Sequence, residues 1–261
     1  MKIALVQTDI AWNNPSENVR RCARLTAEAL TGGAELLIFP EMFTSGFSLP
    51  KGDDARESSL KGLEFLRDSS TTHGVTTVGS LPELGSDGHL YNTAYVCRPD
   101  GAIESYRKIH LFSYGEETAH YAPGDRTLTV QIGDLRCSLF ICYDLRFPIP
   151  FHQLAPSTDL FIVVANWPTP RREHWLTLLR ARAIENQAYV AGVNRVGEGG
   201  GLSYSGDSIL FAPDGSPLND VEPREKVLIH EVSASEVSAW RNTFPSVKDR
   251  RSDIYQKVLN G

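Results

Sequence analysis

Short apolar runs alternate with segments of helical periodicity along the chain, the pattern of strands interleaved with helices. Residues 2–8 predict a strand. Asn14-Pro15-Ser16 opens a helix that carries Val19, Cys22, Ala23, Thr26 and Ala29 with Leu30 at helical spacing, and Gly32-Gly33 stops it. A strand over 35–39 follows, then a loop, then a helix over 57–72 that ends near Gly74. Strands are predicted over 75–80 and 90–97, and Pro99-Asp100-Gly101 makes a tight turn into a strand over 102–107.

Residues 109–126 form the longest connection without clear secondary structure of its own, and loops of that length are usually functional. Beyond them, strands over 127–132 and 135–141 pair across Gly133-Asp134. A helix follows Cys142, then a strand over 159–164, a helix over 173–187 and a strand over 188–194. Gly197–Gly201 reads as a flexible loop, a strand over 205–211 turns at Pro213-Asp214-Gly215, and 226–232 makes the last strand. A short helix around 233–241 leads to a charged tail, Lys248 to Lys257. No repeat, low-complexity block or linker interrupts this order, so residues 1–261 read as one domain with a C-terminal tail over 241–261. Mixed βα and hairpin connections imply an α/β fold with helices on the faces of mixed sheets.

Hydrophobic residues make up 41% and charged residues 22%, enough to build a core without metal or disulfide staples. The net charge of −6 argues against a phosphate-tracking surface, so nucleic acid is not expected as a partner. The opening apolar run is too short for a signal peptide and no window approaches a membrane span; a cytoplasmic protein without a membrane partner is expected. The four cysteines (Cys22, Cys97, Cys137, Cys142) show no CxxC pattern. Cys137 and Cys142 would lie on one strand, roughly 16 Å apart at about 3.3 Å per residue, too far to bridge. Reduced thiols fit that compartment. No HxH, HExxH, GxGxxG or GxxxxGK[ST] arrangement occurs, so neither a metal nor a nucleotide cofactor is expected.

Three separated segments each deliver one reactive group at an element edge. The apolar Leu139-Phe140-Ile141 runs out at Cys142 into the polar turn Tyr143-Asp144-Leu145-Arg146-Phe147-Pro148. A thiol in mid-strand is usually an inert small hydrophobe, but one at the carboxyl end of a strand faces the crevice where open α/β sheets bind ligands. Leu36-Leu37-Ile38-Phe39-Pro40 likewise ends by presenting Glu41, and Tyr106-Arg107-Lys108 places a lysine just beyond a strand.

A thiol attacks an amide carbonyl only as thiolate, so a base must take its proton. None of the seven histidines (His73, His89, His110, His120, His152, His174, His230) stands in a recognised cysteine-protease context. A carboxylate serves if burial or a neighbouring charge raises its pKa, and Glu41 is the best-placed one; the competing reading is a surface glutamate. The charge that develops on the carbonyl oxygen needs a fixed positive partner. Lys108 with the backbone N–H following Cys142 can supply it, although the commonest fate of a lysine is solvation. Glu116 and Glu117 are both candidates to fix that lysine, against the plainer reading of two solvated loop glutamates.

With these motifs the chain resembles the nitrilase superfamily of carbon–nitrogen hydrolases over nearly its whole length. The carriers are Phe39-Pro40-Glu41-Met42-Phe43, Arg107-Lys108-Ile109-His110-Leu111-Phe112 and Cys142-Tyr143-Asp144-Leu145-Arg146-Phe147-Pro148. The resemblance implies a four-layer αββα sandwich and a homodimer. It also implies a triad of Glu41 as general base, Lys108 as oxyanion partner and Cys142 as nucleophile. The family's second glutamate falls on Glu117, with Glu116 as the fallback. Cys-Tyr-Asp-Leu-Arg-Phe-Pro, the block from Asn166-Trp167-Pro168 to Gln187, and Gly206-Asp207-Ser208 before Pro213-Asp214-Gly215 resemble the omega-amidase branch.

That branch implies a small-molecule amide substrate, 2-oxoglutaramate or 2-oxosuccinamate, and no cofactor. Such substrates carry a distal carboxylate, and Arg146 is the implied bidentate partner; read without the family, a structural ion pair is slightly the better reading. Tyr143, Trp167 and Arg171 are taken as further substrate-binding residues, with Arg172 a possible second contact. The rivals are another amide or N-carbamoyl hydrolase of the superfamily and a catalytically silent binding protein on the same fold.

Overall fold

A computed structural model describes residues 1–259. The chain begins β1 (Lys2–Gln7), α1 (Pro15–Thr31), β2 (Leu36–Ile38), α2 (Gly52–His73), β3 (Thr76–Leu84), β4 (Leu90–Cys97) and β5 (Ile103–Arg107). It continues β6 (Thr129–Ile132), β7 (Leu135–Ile141), α3 (Pro148–Leu154), β8 (Leu160–Ala165), α4 (Arg172–Asn186) and β9 (Tyr189–Asn194). It closes with β10 (Val196–Gly199), β11 (Leu202–Ser205), β12 (Ile209–Phe211), β13 (Lys226–Glu231), α5 (Ala234–Thr243) and α6 (Ser252–Leu259).

Two mixed sheets result, one in the order β13-β1-β2-β3-β4-β5 and one in the order β12-β9-β8-β7-β6. In the first, β1, β2 and β3 run parallel and the other neighbours antiparallel. In the second, β7, β8 and β9 run parallel. The side-chain period of two sorts β1 between two cores. Ile3 and Leu5 pack with Phe140, Ile162 and Val190 of the other sheet, whereas Ala4 and Val6 pack with Cys22, Leu25 and Ala29 of α1. Strands covered on both faces are apolar throughout, as in β8, where every residue is buried. With α1 and α2 outside the first sheet and α3 and α4 outside the second, the layers stack as the expected αββα sandwich.

Asn14 caps α1 by accepting the Glu17 N–H at 3.2 Å, and Pro15 occupies its first turn. The second helix starts at Gly52, earlier than 57, because Asp53 and Asp54 suit the positive end of the helix dipole. Strand β3 runs on to Leu84 through Pro82. That proline is tolerated because β2 pairs with β3 only up to Val78, leaving the later edge free of ladder donors.

The region after Cys142 is a 3-10 turn over Cys142–Arg146, and only then α3. Pro148 keeps Phe147 extended (φ −108°, ψ 105°) and starts a new helix. The expected flexible loop at Gly197–Gly201 is instead the hairpin β10–β11, in which Val196 faces Ser205 and Gly199 faces Leu202. Its two-residue turn, Gly200 (φ +58°) and Gly201 (φ +76°), has the positive φ pair that matches strand twist. The single strand expected over 205–211 is broken at Gly206 and Asp207, both with positive φ. The charged tail carries α6. Among the described residues, no helix is long and apolar enough to cross a membrane.

Candidate active site

Glu41 follows the short β2 and is completely buried. Both sheets bind it. Its Oε1 accepts from Asn92 Nδ2 of β4 at 2.8 Å and from Lys108 Nζ at 2.9 Å. Its Oε2 accepts the backbone N–H of Asn166, just past β8, at 2.8 Å, and its carbonyl accepts the Asn166 side-chain amide.

Lys108 continues the pairing of β5: its N–H donates to the Asn92 carbonyl at 2.9 Å, and its own carbonyl accepts the Gly124 N–H at 2.8 Å. A Cβ on Gly124 would lie 2.2 Å from the Arg107 carbonyl oxygen, so the long loop closes against this strand only through glycine. The buried Nζ also donates to Glu117 Oε2 at 2.9 Å and Oε1 at 3.1 Å. Burial alone would pull the ammonium down, but Glu117 and then Glu41 outweigh it and hold Lys108 above the ordinary lysine range. Glu117 is buried in a 3-10 turn of residues 117–119, where it also accepts the Phe112 N–H at 2.6 Å. Glu116 is left-handed (φ +61°) and exposed. Of the two loop glutamates, the structure therefore brings only Glu117 to Lys108.

Cys142 terminates β7 with a left-handed backbone (φ +46°), a conformation that costs a non-glycine residue about 1–3 kcal/mol. Asp144 holds this turn. Its buried carboxylate accepts from Tyr106 Oη at 2.7 Å and the Ile141 N–H at 3.0 Å. It also takes the His110 N–H at 2.9 Å and contacts His110 Nδ1 at 2.8 Å. The cysteine turn is thus tied to the strand and loop that carry Lys108. Tyr143 lies in the first turn of the 3-10 segment, where backbone N–H groups lack an intrahelical acceptor. Burial, and next the Glu41 carboxylate, push the Cys142 thiol well up, with Lys108 opposing, so the thiol is protonated at rest.

Above these groups lies a narrow cavity of about 50 Å³, room for a small acyl chain. Phe47, Phe112, Tyr143, Trp167, Leu202 and Tyr204 wall it, and Arg146 and Arg171 bring cations to it. Trp167 is buried, with its indole N–H donating to the Arg171 carbonyl at 2.8 Å. The Arg146 guanidinium stacks 4.8 Å from the Trp167 ring centre and lies 3.3 Å from His174 Nδ1; no described carboxylate pairs with it. Arg171 lies over Phe112 at 5.4 Å, likewise without a described carboxylate. Arg172 is not part of the wall; it is paired with Asp207 at 3.0 Å.

Glu41, Lys108, Cys142, Tyr143, Arg146, Trp167 and Arg171 line one cavity and Glu117 holds Lys108, whereas Glu116 and Arg172 stay outside it; the sequence reading missed several residues that meet them. Asn92 bridges Glu41 and Glu117 (3.2 Å to the latter); its signal was a polar residue inside an otherwise buried strand, which must find partners. Asp144 and Asn166 stood inside recognised motifs without a role. Phe47 and Tyr204 had no signal at all.

A carboxylate beside a neutral thiol can accept its proton, and a buried ammonium beside both can hold an oxyanion. Comparison with known proteins places the chain in a family of hydrolases. The model of the carbon–nitrogen hydrolase family matches residues 2–242. The chain is 34% identical to the 2-oxoglutaramate amidase of Bacillus subtilis (strain 168), covering 97% of this chain and 98% of that protein. It is 36% identical to omega-amidase YafV of Escherichia coli (strain K12), covering 95% and 96%. A CN-hydrolase superfamily protein of Xanthomonas campestris, solved with an arsenic adduct in its active site, superposes with a TM-score of 0.88 at 35% identity, covering 96% and 97%. Matched by the family model over nearly all its length, the chain belongs to the carbon–nitrogen hydrolase family of the nitrilase superfamily.

Proposed function

We propose that the protein is an amidase that releases ammonia from the terminal amide of a 2-oxo dicarboxylic acid monoamide, 2-oxoglutaramate or 2-oxosuccinamate. The observation that carries the chemistry is the buried Lys108 ammonium, 2.9 Å from both Glu41 and Glu117, in one cavity with Cys142. Glu41 takes the thiol proton as Sγ bonds to the amide carbon. The carbonyl oxygen becomes an oxyanion held by Lys108 Nζ and the Tyr143 N–H. Glu41 then passes the proton to the amide nitrogen, the C–N bond breaks, and ammonia leaves a thioester on Cys142. Water gives its proton to Glu41 and attacks the thioester, the C–S bond breaks, and Cys142 recovers its proton as the dicarboxylate departs.

The substrate class rests on the cavity's far wall, where Arg146 carries no described carboxylate partner, and on relatives named 2-oxoglutaramate amidase and omega-amidase. A panel of 2-oxo acid amides, neutral amides, nitriles and N-carbamoyl amino acids, read by ammonia release, tests it. The 2-oxo acid amides should be the fastest, and substrate-soaked protein should carry an acyl mass on the peptide holding Cys142. Faster turnover of nitriles or neutral amides would remove the substrate assignment; an acyl group on Cys22, Cys97 or Cys137 would remove the nucleophile.

A further inference from the structure

The hairpin β10–β11 brings two residues to the cavity that the mechanism above does not use, the apolar Leu202 and Tyr204, of which only Tyr204 carries a hydrogen-bonding group. Tyr204, 6% exposed, lines the wall shared by Cys142, Glu41 and Arg171. Its strand packs against the 3-10 turn of residues 169–171, which carries Arg171. Behind its ring, at 4.4 Å, lies the guanidinium of Arg195. Arg195 is itself completely buried and donates to the carbonyls of Ile10 at 2.8 Å, Glu198 at 2.9 Å and Val196 at 3.1 Å, with Asp9 Oδ1 at 3.4 Å. A Cβ on Gly199 would sit 2.9 Å from Arg195 Nη1 and 2.5 Å from Trp12, so the glycine lets the hairpin seat on this cation. The ring of Tyr204 is therefore rigidly placed, yet its hydroxyl takes no hydrogen bond from any described residue.

Resting on the 2-oxo acid reading of the site, we propose that Tyr204 is a specificity-determining residue whose phenol donates a hydrogen bond to the 2-oxo group of the substrate. In a 2-oxo dicarboxylic monoamide the oxo group lies beside the distal carboxylate, between it and the reacting amide. Tyr204 lines the same cavity, with its phenol near enough to Cys142, Glu41 and Arg171 to feel their charges. Burial holds its phenol above the ordinary range despite the opposing charge of Arg195, so it stays a donor where the enzyme works. A buried donor that meets a methylene where it expects an acceptor loses its partner, which is how a site built for hydrogen bonding discriminates. A 2-amino acid amide such as glutamine would present an ammonium to the same donor and to two arginines, and is disfavoured twice over.

The test compares wild type with Tyr204→Phe, which keeps the ring on Arg195, using 2-oxoglutaramate and glutaramate, equal in length but without the oxo group. The variant should lose about tenfold in kcat/KM on 2-oxoglutaramate and stay within about twofold on glutaramate. The inhibition constants of the products should move alike, 2-oxoglutarate weakening about tenfold and glutarate unchanged. Equal losses on both substrates at an unchanged thermal midpoint, or no loss on either, overturn the role of Tyr204. A wild type that hydrolyses glutaramate as well as 2-oxoglutaramate removes the substrate reading and this inference with it, and the wild-type arm alone shows that.

Discussion

Glu117→Gln isolates the role of the second carboxylate around Lys108. At 2.9 Å, a unit charge pair interacts by about 6 kcal/mol at an effective dielectric of 20, an upper bound because burial opposes it. With Glu117 neutral, Lys108 turns wholly to Glu41, whose carboxylate then holds a proton less well. If a third to a half of the pair energy falls on the base, the barrier rises by about 2–3 kcal/mol, roughly 100-fold in kcat. The fold also suffers. Glu117 accepts from Lys108 twice, from Asn92 and from Phe112, and an amide NH2 must face one of those donors. An unsatisfied buried group costs about 1–3 kcal/mol, or about 3–10 °C in thermal midpoint for a chain of this size. Because the folded pKa of Lys108 lies above its unfolded value, the contribution of the ammonium to stability is full below about pH 10 and is lost as pH rises through the folded value. In the variant the folded value falls while the unfolded one does not, so that alkaline loss should be smaller and complete at lower pH. Ammonia release and thermal melting between pH 7 and pH 11 are the assays. A kcat within threefold of wild type, with the alkaline limb unmoved, would refute the reasoning.

Glu41→Gln should lose at least about 1000-fold in kcat, yet its Cys142 should alkylate more readily at low pH, since one carboxylate that raises the thiol is gone and Lys108 is then opposed only by burial and Glu117. More than a tenth of wild-type turnover, or an iodoacetamide pH profile that does not shift downward, contradicts the general-base role. Arg146→Lys should weaken kcat/KM for 2-oxosuccinamate by about 2 kcal/mol, roughly 30-fold, because a point charge cannot reproduce the paired N–H geometry. A neutral amide of similar length should hardly change; an equal loss on both would make Arg146 structural.

Local chemistry made most of the fold readable. The cap of Asn14 and the stop at Gly32 bound α1, and the fully apolar runs of β1 and β8 announce strands covered on both faces. The misreadings have two physical origins. Gly197–Gly201 is rich in glycine for two different reasons, a turn with positive φ and a close approach to Arg195 and Trp12. Neither is visible without the residues it packs against, so flexibility was the natural inference and a hairpin is the outcome. The start of α2 and the helix in the tail were missed because both begin in polar segments, where hydrophobic period gives no boundary.

The site divides along the same line. Glu41, Lys108 and Cys142 were legible because each stands where a strand ends, although β3 and β4 separate β2 from β5 and β7 belongs to the other sheet. What makes the convergence chemical is longer in range. Asn92 meets Glu41 and Glu117 only because the register of β4 against β5 puts it opposite the backbone of Lys108. Asp144 locks the nucleophile's turn to Tyr106 and His110, which lie 38 and 34 residues earlier in the chain. Tyr204 reaches the cavity from the last third of the chain on an anchor, Arg195, whose partners begin at Asp9 and Ile10. A reactive group can be read from its own segment, but the groups that aim and protect it belong to other strands. Their identity depends on register, and a one-residue slip would turn Asn92 away from both carboxylates.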